Sequence, residues 1–122
     1  MTITSFNPLI VTKDAEATIA LFEALGFERR HKVDNIDDKD ISSVRMKDAN
    51  GFHVDVSQGD GNWTMIRMNV DNFDEAYDIF MAHGFTNTRG DGTIDSKSAK
   101  AATLVSPSGF TLALVQHIKN HD

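Results

Sequence analysis

The sequence predicts an α+β fold built from two tandem βαβββ modules with curved mixed sheets, and three observations carry that prediction. The first is an internal repeat: "NGFHVDVSQ" (50–58) returns as "SGFTLALVQ" (108–116). Gly51, Phe52 and Gln58 stand 58 residues before Gly109, Phe110 and Gln116, and the same offset carries Phe22, Ala24, Gly26 and Phe27 onto Phe80, Ala82, Gly84 and Phe85. One offset over almost the whole chain marks two copies of a single supersecondary unit. The second observation is one helical run of apolar residues per copy, stopped by a glycine. The third is period-two alternation in the segments that follow each helix, which is the signature of strands.

Each element has its own signal. "ITSFNPLIVT" (3–12) is rich in β-branched residues and reads as a first strand. Asp14 suits a helix N-cap, and Thr18, Leu21, Phe22 and Leu25 recur at i, i+3, i+4 and i+7 as the apolar stripe. Gly26 ends that helix as its C′ residue. Strands are expected at 27–33, 41–47 and 51–57. "SQGDGN" (57–62) reads as a Gly-rich linker, so module one spans about 1–58 and module two about 63–118 of one 1–122 domain. In module two a helix starts near Asn72, carries Ala76, Ile79 and Phe80, and stops at Gly84; strands follow at 85–90, 99–105 and 109–116. Alternation sets Phe52, Val54 and Val56 on the face covered by the helix, with Phe110, Leu112 and Leu114 as their counterparts. His53, Asp55 and Ser57 then share the opposite face, against Thr111, Ala113 and Val115 in the second copy.

Composition narrows the function. Eighteen acidic residues against 12 basic ones give a net charge of −6, and no Lys/Arg cluster offsets it, so no nucleic-acid partner is expected. Without cysteine there are no disulfides, thiolate metal sites or cysteine nucleophiles. No apolar run approaches the roughly 18–20 residues of a membrane span, and "MTITSFNPLIVTKD" has no basic region followed by a long apolar stretch. No membrane partner and a cytoplasmic location are the expectations.

A tandem βαβββ with "NPLIVTKDAEATIALFEALGF" (7–27), "VDNFDEAYDIFMAHGF" (70–85) and "SPSGFTLALVQ" (106–116) resembles the vicinal oxygen chelate superfamily. That group takes in glyoxalases, bleomycin-resistance proteins, extradiol dioxygenases and methylmalonyl epimerases, and the likeness is nearest to the small bleomycin-resistance/glyoxalase-like branch. It implies that the two modules close one cup, and that the chain forms a homodimer. In metal-dependent members one divalent ion is held by residues of the first and last strands of each module. Carried over, those positions are Asn7, Asp55, Met65 and Ala113. Only Asp55 is a good ligand for a hard or borderline cation, so no metal or other cofactor is expected.

Parity places Asn7, Arg45, His53, Asp55, Met65, Arg67 and Asn69 on the cup face, provided that Val44, Met46, Ile66, Met68 and Val70 are core. Two guanidiniums beside a His–Asp pair suit a carboxylate or phosphate. The same charges could equally pair at a solvated rim. His53 and Asp55 could also form half of a relocated metal site, or a base and its orienting group. Trp63 could stack on a planar ligand or fill a seam. His83 suits a helix C-terminus, and the register of His31 is open. His117 and His121 read as a solvated tail, and "DNIDDKD" (34–40) as a solvated hairpin connection without the Gly and terminal Glu of a calcium loop. The expected function is binding of a small anionic organic molecule in the cup, without the superfamily's metal. A metal-dependent lyase, isomerase or dioxygenase of the same superfamily is the first alternative, and a dimeric interaction protein with no ligand the second.

Overall fold

The computed structural model describes residues 1–34, 42–90, 92–95 and 99–117. Most of the acidic 34–40 stretch and His121 therefore lie outside the described residues. Contacts divide the chain into two compact units, Asn7–Thr64 and Met1–Phe6 together with Met65–Asp122. None of the described helices is long and apolar enough to cross a membrane.

The first unit holds β1 (Ile3–Thr12, from Asn7 onward), α1 (Ala15–Ala24), β2 (Glu28–Asp34), β3 (Ser42–Lys47) and β4 (His53–Gln58). Its strand order is β2-β3-β4-β1. β3 runs antiparallel to both neighbours, with His31 and Asp55 opposite Arg45, and β1 runs parallel to β4. Val44, Met46, Val54 and Val56 form one apolar sheet face and bury Ala15 and Ile19 of α1. The Asp14 side chain accepts from the Ala17 amide at 3.1 Å and so caps the helix. Gly26, at φ +107°, closes it: its amide reaches the Glu23 carbonyl, and the Phe27 amide the Phe22 carbonyl at 2.9 Å.

The expected stripe on α1 is corrected. Leu21 and Leu25 are 54% and 64% exposed, while Ala15, Ile19 and Phe22 face the sheet. Both sets have helical spacing, so periodicity alone cannot choose between them. The phase is set at the first turn, where the Gln58 side chain accepts from the Ala15 amide at 3.0 Å and draws that residue onto β4.

The second unit repeats the plan with β5 (Trp63–Val70, from Met65 onward), α2 (Phe73–Ala82), β6 (Thr86–Asn87), β7 (Ile94–Asp95), β8 (Ala99–Val105) and β9 (Thr111–His117). The order is β5-β9-β8-β6, with β7 also on β8, and β5 is parallel to β9. Val70, Phe73, Ala76, Ala102, Leu104, Leu112 and Leu114 make its core, with Ile66 and Met68 against it. Ile79, expected in the stripe, is 46% exposed, and Tyr77 packs instead. The expected strand over 85–90 shrinks to two residues. Asn87 ends it: its side-chain oxygen accepts from the Arg89 amide, while its amide group donates to Tyr77 and to the Gly92 carbonyl. The chain start is tied to this unit by the Met1 amine on Glu75 at 2.9 Å and the Thr2 amide on Asp71.

The structure explains most of the repeated residues. Gln116 does for Phe73 what Gln58 does for Ala15, at 2.6 Å. Asp48 and Ser106, also 58 residues apart, each open a tight hairpin turn with an oxygen that accepts from the amide two residues on. Gly51 and Gly109 complete these turns at φ +92° and +96°. Phe52 and Phe110 close them with backbone carbonyls that accept from Asp48 and Ser106. Their side chains are not under the helices, as alternation suggested, but 66% and 45% exposed, because they flank the turn before the pleat begins. The glycines of 57–62 do more than link. A Cβ on Gly59 would meet Val11 at 2.6 Å, and one on Gly61 would meet the Trp63 ring at 2.7 Å.

Candidate functional site

On the face of the first sheet turned away from α1, β1 contributes Asn7 and Leu9, β3 Arg45, and β4 His53 and Asp55. Arg45 lies directly across from Asp55, and Leu9 beside it on the other flank. The Asp55 carboxylate is buried, at 1% exposure. The Arg45 guanidinium grips it along one edge, Nε to Oδ1 at 2.8 Å and Nη2 to Oδ2 at 2.9 Å. The Asn7 amide donates to Oδ2 at 2.9 Å, and the Asn7 carbonyl oxygen accepts from Nη2 over a longer 3.4 Å. Hydrogen bonding to Asp55 is the main cause that raises the Arg45 pKa above its ordinary value, with burial opposing. The guanidinium thus stays charged at any physiological pH. Nη1 makes no hydrogen bond among the described residues.

His53 is half-buried at the end of β4, with Lys47 opposite. Both Asp55 oxygens are engaged by Arg45 and Asn7, which weighs against Asp55 orienting His53. Trp63 is 49% exposed with its ring over Gly61. In the second unit, Met65, Arg67 and Asn69 alternate with the core residues of β5. The Arg67 Nε donates to the buried Asn69 at 3.2 Å, and Arg67 pairs in register with Ala113. His83 is the exposed C-cap of α2, and His117 is exposed at the end of β9.

The Arg45–Asp55 pairing was within reach of the sequence. Once Asp48 and Phe52 are known to close a hairpin, residues equidistant from the turn face one another, and 45 and 55 are such a pair. The helix-capping role of Gln58 and Gln116 had a signal too, since a polar residue is held in both copies of an otherwise apolar strand.

No protein-family model matches the chain, and no curated protein does. Solved structures do. A glyoxalase/bleomycin resistance protein/dioxygenase superfamily member from Vibrio splendidus superposes with a TM-score of 0.60 at 16% identity, over 96% of this chain and all of that one. The methylmalonyl-CoA epimerase of Mycobacterium tuberculosis gives 0.66 at 14% identity, over 93% and 88%. The epimerase of Streptomyces coelicolor, solved with 2-nitronate-propionyl-CoA, gives 0.62 at 16%, over 94% and 98%. The chain has the vicinal oxygen chelate fold.

On this fold the four positions carried over as metal ligands can be tested against their surroundings. Module one offers Asn7 and Asp55, already bonded to each other and to a guanidinium. Module two offers a thioether at Met65 and a methyl group at Ala113. Among the described residues no group of three His, Asp or Glu could hold a metal ion. These four residues together are a poor donor set for a hard or borderline divalent cation.

Proposed function

We propose that the chain binds a small organic anion, a carboxylate or a similar planar oxyanion, on the polar face of its first module and without a divalent ion. The observation that carries this reading is Arg45. A charged guanidinium is fixed by a buried carboxylate, its side chain is 23% exposed, and its Nη1 group has no protein partner among the described residues. An end-on carboxylate would accept from Nη1 and compete for the long Nη2–Asn7 contact, at little cost to the Asp55 edge. The Streptomyces epimerase carries a ligand with a planar oxyanion, a nitronate, which suits the same chemical class. Because Asp55 balances the charge of Arg45, selectivity rests on fork geometry more than on net attraction.

The test is a thermal-shift screen with mono- and dicarboxylates and 2-oxo acids, since a ligand that binds only the folded state raises its melting temperature. Arg45→Lys should weaken any hit by about tenfold or more, because an ammonium cannot bond both Asp55 oxygens and the ligand in one plane. A series of cationic hits unaffected by that change would refute the reading. Arg67 of module two is a separate candidate contact, judged by whether Arg67→Met weakens the same hits. Elemental analysis should find no stoichiometric metal, and chelator should leave the melting temperature unchanged; one tightly held equivalent would count against the proposal.

We also propose a homodimer. Phe6, Leu21, Leu25 and Phe52 are large apolar side chains left more than half exposed, which favours a protein partner over solvent. A monomer in sedimentation across micromolar concentrations would overturn this.

A further inference from the structure

We infer that Arg45 is a tethered cation: its guanidinium fills the place between Asn7 and Asp55 that a free cation could otherwise take, and Nη1 is the group offered to the ligand. This deepens the function proposed above and rests on its choice of face.

Three observations converge on it. Among the described residues Asp55 is the only carboxylate that is a fully buried side chain, at 1% exposure, and such a group persists in charged form only when paired. Asn7 and Arg45 give its two oxygens donors at 2.8–2.9 Å, two of them from one guanidinium, so the positive charge sits where a bound ion would sit. Asn7 turns one amide hydrogen to Asp55 and its carbonyl oxygen to Nη2, so that both of the module's inherited ligand positions converge on Arg45. The second module supplies the contrast. Met65, Thr103 and Ala113 occupy the equivalent positions 58 residues on, and β8 and β9 still pair through Thr103 and Ala113 in the register of Arg45 and Asp55. The backbone therefore does not need the charged cluster, and a residue present for packing alone would not have to be an arginine.

A tethered cation makes a specific forecast. Removing the side chain but keeping Asp55 should leave a hole that takes a cation from solution. The experiment compares melting temperatures of the full chain, of Arg45→Ala and of the triple variant Asn7→Met/Arg45→Thr/Asp55→Ala, with and without ethylguanidinium or Mn2+. Arg45→Ala should melt roughly 10 °C below the parent, because it takes the guanidinium from a buried carboxylate. Ethylguanidinium should restore several degrees, saturably, and Mn2+ should do so more weakly. Neither should raise the melting temperature of the parent, whose site is filled, nor of the triple variant, which has no carboxylate. If Arg45→Ala does not fold unaided, it should refold in ethylguanidinium and not in ethylammonium at the same ionic strength.

The inference is overturned if Arg45→Ala is as stable as the parent, if ethylguanidinium acts equally on the triple variant, or if no added cation recovers Arg45→Ala. No carboxylate ligand enters the experiment. A failed ligand screen therefore leaves its result standing, and its failure leaves the screen's result standing.

Discussion

At the first turn of α1 the Gln58 side chain accepts from the Ala15 amide, and at the first turn of α2 Gln116 does the same for Phe73. On the sheet faces the two modules part company. Asn7, Arg45 and Asp55 form a hydrogen-bonded cluster around a buried carboxylate in the first, where Met65, Thr103 and Ala113 stand in the second. The residues held in common satisfy backbone groups that the fold itself leaves open: helix N-terminal amides, the last carbonyls at Gly26 and Gly84, and the hairpin turns at Asp48 and Ser106. Asn7, Arg45 and Asp55 are bonded to one another, and the Asn7 amide also donates to the Pro8 carbonyl. Likeness between the modules therefore reports the requirements of the fold, and the unlike cluster of module one is where the proposed function has its residues.

The largest expected effect breaks the cluster from one side. Asp55→Ala removes the partner of a guanidinium that is itself partly solvated, so a loss of about 2–4 kcal/mol in urea denaturation is expected, below the 3–5 typical of fully buried pairs. Adding Arg45→Thr should recover most of it, because the pair then matches Thr103 and Ala113 of module two. A double variant as unstable as Asp55→Ala would show that the cluster stabilises its module and that the comparison misleads.

Next come the helix ends. Gly26→Ala and Gly84→Ala each force a side chain into φ near +90 to +107°, at roughly 1–2 kcal/mol. Gly84→Ala should cost the more of the two, since its new Cβ would meet Pro107 at 3.2 Å whereas that at Gly26 would meet nothing within 4 Å. Equal losses would mean that Pro107 yields. Gln58→Ala and Gln116→Ala should each cost about 1 kcal/mol for the helix-capping hydrogen bond, with Gln58→Ala the larger because its amide also donates to the Lys13 carbonyl. A difference of more than about twofold would break the functional equivalence of the two caps.

How much of this could be read from the chain depends on whether the deciding interaction is local. The 58-residue offset, Asp14, Asn72, Gly26 and Gly84 are local signals, and the helices start and stop where they say. Val44, Met46, Val54 and Val56 follow from alternation alone. The phase of α1 was not legible because Leu21 and Leu25 fit a helical stripe as well as Ala15, Ile19 and Phe22 do, and the choice is made by a contact to Gln58, 43 residues away. The short β6 was not legible because its end depends on Asn87 reaching Tyr77 and Gly92. At the candidate site, residue types and face could be read, and the hairpin brings Arg45 opposite Asp55, but that Asn7 joins them from β1, 48 residues away, was not legible.

The smallest expected effect concerns a contact of the second unit. The Met1 amine has its pKa raised above its ordinary value of 8.0, chiefly by its hydrogen bond to Glu75. A raised folded-state pKa means that the contribution is fully present below about pH 8 and is lost as pH rises through the raised value. In a chain that keeps Met1, stability should therefore decline slightly as pH rises above about 8, and N-terminal acetylation should remove that slope.

The claim that module one's polar face carries the function and is dispensable for the fold has one most direct measurement. The parent and the Asn7→Met/Arg45→Thr/Asp55→Ala variant are screened side by side by thermal shift with the same carboxylates. The expected result is that the variant keeps a single cooperative transition close to the parent's, while every carboxylate that stabilises the parent leaves the variant unmoved. A carboxylate that stabilises both chains equally, or a variant with no folded baseline, would contradict it.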